Sequence, residues 1–215
     1  MSKNKRIIYV AGNGKNDSGY ANWLEPDKLT DDINEANIIL GVGGADISSH
    51  YYNQPDSGNL SCSPNIDAKE YADFQKAIKL NKKIIGICKS AQWGAVLAGG
   101  AVFQHIEHPS IHNISTFDKK VILSNSSHHN LADLSKLKEN IDYKLLAWAE
   151  GISNIHIDGY GDNVPCPKEP EVVYYPKINF LAFQNHNEWT LDNPEFTDMI
   201  SWSKDIFEKF LNNNL

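Results

Sequence analysis

The sequence Lys83-Ile84-Ile85-Gly86-Ile87-Cys88-Lys89-Ser90-Ala91-Gln92 contains a strand-forming part followed by a helix-forming part. Its first part, residues 84–87, is short and rich in β-branched side chains, which is typical of a buried parallel strand. Residues 90–98 favour a helix, and the two glycines that follow end it. Cys88 therefore lies on a tight turn from a strand to a helix.

Cys88 is the candidate nucleophile of this chain. Gly86 and Ser90 are small residues two positions before and after it, and they allow the backbone to turn sharply there. The helix that follows directs peptide N–H groups at the sulfur, which favours the thiolate over the thiol. The competing interpretation is a plain buried cysteine, because cysteine is among the residue types most often buried as small hydrophobes. The partners of the sulfur decide between the two.

Length and composition limit the classes of protein to consider. A chain of 215 residues with 41% hydrophobic content can build one α/β domain with a large core, and we expect residues 1–215 to form a single domain. A net charge of −7 without a dense basic patch argues against nucleic-acid binding. No stretch is long and apolar enough to cross a bilayer, so we expect no membrane partner.

The cysteines indicate the redox environment. Cys62, Cys88 and Cys166 lie far apart in the sequence, and their spacing matches neither a disulfide framework nor a zinc-binding motif. We therefore expect a reducing, cytoplasmic location.

The order of predicted elements is that of an α/β fold. Before the Cys88 turn we predict strands at residues 6–11 and 38–42, helices at 27–36 and 65–80, and a long loop at 45–64. After it, short alternating runs predict strands with some antiparallel pairing at residues 101–104, 119–123, 143–148, 171–175 and 179–183, and a closing helix at 196–211. This order predicts a three-layer sandwich with a mainly parallel central sheet and helices on both faces.

Reactive groups in such sheets collect beyond the carboxyl ends of the strands. Cys88 and the segment that follows Phe183 both lie at predicted strand ends, so we expect them to converge. In an extended segment, residues two apart point the same way, so His186 and Glu188 can share a face as a base and the group that orients it. The competing interpretation is a histidine that caps a surface loop beside a solvated glutamate.

An acyl-transfer site also needs donors for the oxyanion. The backbone N–H of Lys89, directly after the nucleophile, is one candidate. The N–H of Gly44 is a second, because glycine lets the backbone approach a ligand closely. A simple turn at the end of a strand is the alternative for Gly43-Gly44.

These segments together resemble the class I glutamine amidotransferases, and within them most closely the γ-glutamyl hydrolase subgroup that includes γ-glutamyl-γ-aminobutyrate hydrolase. The strings that carry the resemblance occur in the family's order: Gly43-Gly44-Ala45-Asp46-Ile47, Gly86-Ile87-Cys88-Lys89-Ser90-Ala91-Gln92, Gly99-Gly100-Ala101-Val102-Phe103-Gln104, Asn125-Ser126-Ser127-His128-His129 and Phe183-Gln184-Asn185-His186-Asn187-Glu188. Each string is weak alone, but five in sequence over most of residues 38–190 are specific.

The resemblance implies a flavodoxin-like domain over residues 1–215 and a catalytic triad of Cys88, His186 and Glu188. The implied reaction is hydrolysis of a γ-glutamyl amide bond, in glutamine or a γ-glutamyl conjugate, through a γ-glutamyl thioester. No cofactor is implied.

The resemblance also implies roles for residues around the triad. Gly44 and Lys89 would form the oxyanion hole. The residues expected to hold the glutamyl end of the substrate are Gln92, Ser127 and His128. Two positions depart from the family pattern: Ser90 replaces a usual glycine, and Asn187 replaces a usual proline.

Several alternatives remain open at this point. The hydrolase could be free-standing, or it could be a glutaminase subunit that supplies ammonia to a separate synthetase or amidoligase partner. A non-catalytic binding or regulatory protein that retained the fold is an alternative from another class. The related PfpI-type proteases and deglycases normally carry a histidine directly after the cysteine, where this chain has Lys89.

The histidines raise the question of a metal site. His128 and His129 are adjacent, and on a strand their side chains would point to opposite faces. His105 and His108 have no helix that would align them. We therefore expect no compact ligand set and no metal.

Overall fold

The structure, a computed structural model, describes residues 5–12 and 14–215, with the backbone alone for residues 14–18. Over these residues the main sheet has nine strands in the order β2-β1-β3-β4-β13-β12-β10-β7-β8. The strands of this sheet are Ile7–Val10 (β1), Lys28–Leu29 (β2), Ile38–Gly41 (β3), Lys83–Ile87 (β4), Ile111–Thr116 (β7), Val121–Asn125 (β8), Lys144–Glu150 (β10), Lys168–Tyr175 (β12) and Phe180–Phe183 (β13).

The sheet is mixed, and its two parts differ in strand direction. The strands β2, β1, β3, β4 and β13 run parallel to one another, and we call them the parallel half. The strands β12, β10, β7 and β8 pair antiparallel, and we call them the antiparallel half. Two short two-stranded sheets lie outside the main one, formed by Ala101–Phe103 (β5) with Leu131–Asp133 (β9) and by His105–Ile106 (β6) with His156–Ile157 (β11).

Helices cover both faces of the main sheet. The helices Pro64–Lys79 (α1) and Lys89–Leu97 (α2) pack on one face, where Phe74 and Trp93 are fully buried against β-strand residues such as Phe180. The helix Thr197–Leu211 (α3) and the 3-10 helix Gly14–Leu24 cover the other face. The predicted α/β fold class, with helices on both faces, is confirmed.

Shorter 3-10 turns complete the described structure: Ser49–Tyr52, Pro176–Ile178, Asn187–Trp189 and Pro194–Phe196. Among the residues that the structure describes, no helix has the length and apolar character needed to cross a membrane.

The predicted helix at residues 27–36 is wrong. Lys28–Leu29 instead pairs with β1 as an edge strand, and turns follow it. The Asp32 side chain accepts a hydrogen bond from the backbone N–H of Asn34 at 2.9 Å, and Thr30 Oγ1 accepts one from the N–H of Asp32 at 3.2 Å. Such local side-chain bonds compete with helix formation, which explains the difference.

The register of the parallel half aligns three strand ends. Gly41 of β3 lies opposite Gly86 of β4, and Phe183 of β13 lies opposite Ile87 of β4. The chain therefore leaves all three strands at the same edge of the sheet, with Gly43, Cys88 and the segment after Phe183 as neighbours.

Candidate active site

Cys88 occupies a strained turn between β4 and α2. Its backbone angles are φ 53° and ψ −111°, a region that side-chain-bearing residues rarely adopt. Its N–H donates to the carbonyl of Phe183 at 2.9 Å, which continues the pairing of β4 with β13. A Cβ on Gly86 would lie 2.4 Å from the carbonyl oxygen of Ser90, so the turn requires a glycine there. The predicted strand-to-helix turn at Cys88 is confirmed.

The space for Ser90 comes from Gly41. The Ser90 hydroxyl donates to the carbonyl of Val42 at 2.8 Å, and a Cβ on Gly41 would lie 2.6 Å from both Cβ and Oγ of Ser90. Because Gly41 has no side chain, a serine fits in the first turn of α2, where the resembling family usually has glycine.

Burial determines the protonation of the Cys88 thiol. Burial raises the pKa of Cys88 to about 12, a hydrogen bond from the Lys89 backbone N–H lowers it, and nearby carboxylates such as that of Glu188 raise it further. The N–H that was expected to stabilise the thiolate is present, but the loss of solvation outweighs it. The expectation of a thiolate is therefore wrong for the resting protein, and the sulfur needs a base.

His186 and Glu188 form a buried pair. His186 Nδ1 lies 2.6 Å from Glu188 Oε1, and the two side chains are only 3% and 5% exposed. The segment is a 3-10 turn over Asn187–Trp189 rather than the extended strand that we expected. The turn still brings the imidazole and the carboxylate together, and their burial argues against the interpretation as a capping histidine beside a solvated glutamate.

Two further residues hold His186 in place, one through its backbone and one through its ring. Asn125 donates from Nδ2 to the His186 carbonyl at 2.9 Å and accepts from the His186 N–H at 2.8 Å. The Trp189 indole stacks on the imidazole, with the ring centroids 3.6 Å apart and the planes at 4°. Sequence reasoning gave neither residue a role, although Asn125 belongs to one of the strings that carry the family resemblance.

Gly43 adjoins both Cys88 and His186. A Cβ on Gly43 would be 3.2 Å from His186 Cε1 and 3.6 Å from Cys88 Cβ. Both side chains therefore border the space that a residue other than glycine would fill. Tyr20 Oη borders it as well, at 3.0 Å from the same position.

A small cavity of about 50 Å³ opens beside Cys88. It brings together both predicted oxyanion-hole residues and all three predicted substrate-binding residues, whereas His186 and Glu188 do not line it. The residues that line it are Gly44, Asp46, Cys88, Lys89, Gln92, Ser127, His128, His129 and Asn130.

The Lys89 side chain is anchored by two buried carboxylates that the sequence analysis did not identify. Its Nζ lies 2.7 Å from Asp67 Oδ1 and 2.8 Å from Glu70 Oε2, and the lysine side chain is 2% exposed. Burial lowers the pKa of Lys89, but Glu70 and Asp67 more than compensate and raise it overall, so the ammonium stays charged. This anchor fixes the residue whose backbone N–H faces the Cys88 sulfur.

Gln92 and His128 share one backbone partner. Gln92 Nε2 donates to the carbonyl of Asn130 at 2.9 Å, and His128 Nδ1 lies 2.9 Å from the same oxygen. Burial lowers the pKa of His128 to about 4, so its imidazole is neutral at pH 7. Ser127, which also lines the cavity, is exposed. The cavity therefore presents neutral hydrogen-bonding groups on one side.

A possible ligand set lies next to this cavity. The ligand atoms of His108, His128 and Glu171 all lie within 4.8 Å of one another, and we call these residues the histidine–glutamate cluster. The expectation that the histidines form no compact ligand set is therefore wrong. Sequence reasoning missed the cluster because its members lie on two loops and a strand far apart in the chain, with no spacing that signals it.

The comparisons with known proteins agree with this architecture. The Peptidase C26 family model matches residues 23–144, which is more than half of the chain. The matched part includes Cys88 and the residues that line the cavity, whereas His186 and Glu188 lie beyond it. The glutamine amidotransferase-like protein YvdE of Lactococcus lactis is 25% identical over 200 residues, which cover 82% of this chain and 74% of that protein.

Solved structures share the fold at low sequence identity. The glutaminase domain of Trypanosoma brucei CTPS, with bound acivicin, has a TM-score of 0.57 and 13% identity, covering 98% of this chain and 95% of that one. A GMP synthase subunit from Thermoplasma acidophilum has a TM-score of 0.51 and 17% identity, covering 96% of this chain and 99% of that one. At these identities the likeness concerns the fold alone.

Proposed function

The chain belongs to the peptidase C26 family, and we propose that it is a cysteine hydrolase that cleaves γ-glutamyl amide bonds through a γ-glutamyl thioester. Family membership supports hydrolysis of a glutamine-type amide in general. One observation carries the finer proposal: Cys88, on its strained turn, and His186, paired with Glu188, border the same space at Gly43.

In the proposed first step, His186 accepts the proton of the Cys88 thiol while the sulfur attacks the γ-carbonyl carbon. Because burial raises the pKa of Cys88 to about 12, the attack requires this proton transfer. Glu188 holds the imidazole tautomer and stabilises the imidazolium that forms. The carbonyl oxygen becomes an oxyanion that accepts hydrogen bonds from the backbone N–H groups of Lys89 and Gly44.

In the second step the carbon–nitrogen bond breaks, and His186 gives its proton to the leaving amine. The γ-glutamyl thioester on Cys88 remains. His186 then accepts a proton from water as the water oxygen attacks the thioester carbonyl, and the imidazolium returns that proton to the departing sulfur. The products are glutamate and the free amine, and the enzyme regains its initial state.

The cavity beside Cys88 supports an assignment for the acyl end of the substrate. We assign the glutamyl group to the surface formed by Gln92, Ser127 and His128. A cavity of about 50 Å³ is too small for a whole conjugate, so the leaving amine would extend away from it. Residues 1–215 would form the single catalytic domain. The cytoplasmic location stays a prediction from the cysteines.

Two versions of this function differ in the partner. We favour a free-standing γ-glutamyl hydrolase, because the string Asn125-Ser126-Ser127-His128-His129 resembles that subgroup. A glutaminase subunit that serves a separate synthetase is the second candidate, supported by the fold shared with the GMP synthase subunit from Thermoplasma acidophilum.

The proposal is tested by incubating the purified chain with glutamine and a panel of γ-glutamyl amides of small amines and peptides, and by measuring glutamate release. We expect release from at least one conjugate and a loss of at least about 10⁴-fold in Cys88→Ala. Cys166→Ala, which changes a cysteine outside the site, serves as the matched control and should retain the activity. Release from glutamine only when a synthetase is added would favour the version with a synthetase partner.

Two results would contradict the proposal. Equal glutamate release by Cys88→Ala and the wild type would show that the cysteine is not the nucleophile. No release from any panel member, with or without added synthetases, would favour the non-catalytic alternative.

A further inference from the structure

The histidine–glutamate cluster lies where the antiparallel half of the sheet meets the cavity. Glu171 is a residue of β12, His108 lies in the loop before β7, and His128 lies in the loop after β8. The side chains of His108 and Glu171 are fully buried. Ionisable groups are rarely buried in this way unless they are paired or coordinate a metal.

The separations within the cluster suit a small cation. A tetrahedral zinc ion, with bond lengths of 2.0–2.2 Å, places its ligand atoms about 3.4 Å apart. His108 Nε2 and Glu171 Oε1 already lie 3.4 Å apart. A ring nitrogen of His128 is within 4.8 Å of the other ligand atoms, so a small side-chain rotation would complete the set.

In both histidines a backbone carbonyl faces Nδ1. Burial lowers the pKa of His108, but Glu169 and Glu171 outweigh it and raise the pKa to about 9, so a metal at Nε2 of His108 would displace a proton. His108 Nδ1 lies 3.2 Å from the carbonyl oxygen of Pro109, and His128 Nδ1 lies 2.9 Å from that of Asn130. A carbonyl oxygen only accepts, so Nδ1 carries the hydrogen in each ring. In the neutral ring this leaves the Nε2 lone pair free for a metal, the arrangement usual in histidine ligands.

Two atoms that face the cluster lack hydrogen bonds. His128 Nε2 and Glu171 Oε2 are buried and find no hydrogen-bond partner among the residues that the structure describes, whereas His108 Nε2 lies within ion-pair distance of the Glu169 and Glu171 carboxylates. Buried polar atoms that stay unpaired destabilise a fold, so a cluster that holds two of them calls for a ligand.

Neighbouring residues orient and balance the ligand set. His112 Nε2 lies 3.2 Å from Glu171 Oε1 and fixes that carboxylate. Glu169 Oε2 lies 3.3 Å from His108 Nε2, and Glu169 is held in turn by His156 at 3.2 Å. The two buried carboxylates together carry the charge that a divalent cation would neutralise. Such outer contacts are typical of metal sites.

We propose that His108 Nε2, His128 Nε2 and the Glu171 carboxylate bind a divalent transition-metal ion, with Zn²⁺ as the ion that best matches two imidazoles and one carboxylate. Glu169 would neutralise charge beside the ion. The ion would tie the loops at His108 and His128 to β12. This proposal does not depend on the hydrolase function. With Nδ1 of His128 on the Asn130 carbonyl and Nε2 on the ion, Gln92 and Ser127 would be left to hold the glutamyl group.

The test is a titration of the full chain, freed of metal with a chelator, with Zn²⁺ by calorimetry. We expect saturable binding of one ion per chain. His128→Gln and Glu171→Gln should each weaken the affinity by more than about 100-fold, because even loss of an outer contact costs 10–100-fold. His129→Gln is the matched control: His129 is the neighbour of His128 but pairs with Asp46 at 3.2 Å, so the affinity should not change.

Further measurements identify the ligands of the zinc ion and check that the variants fold. Cys88→Ser should bind Zn²⁺ as the wild type does, which excludes the thiol as the ligand. X-ray absorption at the zinc edge should show two imidazole ligands, and circular dichroism should show that each variant is folded. If Glu171→Gln does not fold, the half-buried His128 still provides the comparison.

The proposal would be overturned by a chain that shows no saturable zinc binding. Affinity that His128→Gln leaves unchanged, or that Cys88→Ser abolishes, would overturn it equally. If the chain shows no saturable zinc binding, the cluster is a buried network of protonated histidine and carboxylates.

Discussion

The parallel and antiparallel halves of the sheet place their polar groups in different ways. In the parallel half, Gly43, Cys88 and His186 each follow a buried strand by a few residues and meet at one edge. In the antiparallel half, Glu171 lies within a strand and meets histidines from two loops. The first arrangement follows from strand ends alone, whereas the second depends on the register of strands that are distant in sequence.

The largest expected effect is on kcat, and it tests the assignment of His186 as the base and of Glu188 as the group that orients it. His186→Ala should lower kcat by about 10⁴-fold, nearly as much as Cys88→Ala, because the neutral thiol of Cys88 then has no proton acceptor. Glu188→Ala should be roughly 10–100-fold less damaging, since the carboxylate orients the imidazole without touching the substrate. Steady-state glutamate release measures both variants.

An exposed histidine provides the control for this comparison. His50 is exposed and lies outside the cavity, so His50→Ala should behave as the wild type. If His186→Ala retained most of the activity, the base would have to be sought elsewhere, with His128 of the cavity as the next candidate.

The next prediction, with a smaller expected effect, compares a buried ion pair beside the parallel half with an exposed ion pair beside the antiparallel half. Asp67 lies on α1, which packs against the parallel half, and it pairs with the buried Lys89 at 2.7 Å. Asp142 lies just before β10 and pairs with the exposed Lys177 at 2.6 Å. Asp67→Asn should lower the free energy of unfolding by about 3 kcal/mol, because the buried ammonium keeps only Glu70. Asp142→Asn should leave stability close to that of the wild type, since water screens that pair. Urea unfolding measures both.

An Asp67→Asn variant as stable as Asp142→Asn would contradict the structural comparison. It would mean that water reaches the Lys89 ammonium and stabilises its charge without the carboxylates.

Much of the parallel half could be predicted from sequence because its signals are local. The β-branched run before Cys88 and the small residues around it are sufficient to predict the strand, the turn and the helix. The rule that strand ends meet at one edge then brought Cys88 and the segment of His186 together. Local signals failed at residues 27–36, where the Thr30 and Asp32 side chains accept hydrogen bonds from nearby backbone N–H groups in place of a helix.

The remaining features depend on tertiary contacts that no local pattern records. The helix after Cys88 suggested a thiolate, but the extent of burial, which raises the pKa of Cys88, is known only from the packed structure. The buried anchor of Lys89 and the two bonds from Asn125 to the backbone of His186 join residues far apart in sequence. The histidine–glutamate cluster likewise joins residues that are far apart in sequence.

The smallest expected effect concerns Asn187, which departs from the family pattern beside the proposed base. Asn187 begins a 3-10 turn, a position where proline is tolerated because its fixed φ suits the first turn and no helical hydrogen bond is lost. His186 has φ −102° and ψ 84°, outside the α region that a following proline disfavours. Asn187→Pro should therefore change the free energy of unfolding by less than about 1 kcal/mol and leave kcat unchanged, as measured by urea unfolding and glutamate release. A large loss of kcat with unchanged stability would instead mean that the buried Asn187 amide, 3.4 Å from the Asn185 side chain, positions the His186–Glu188 pair.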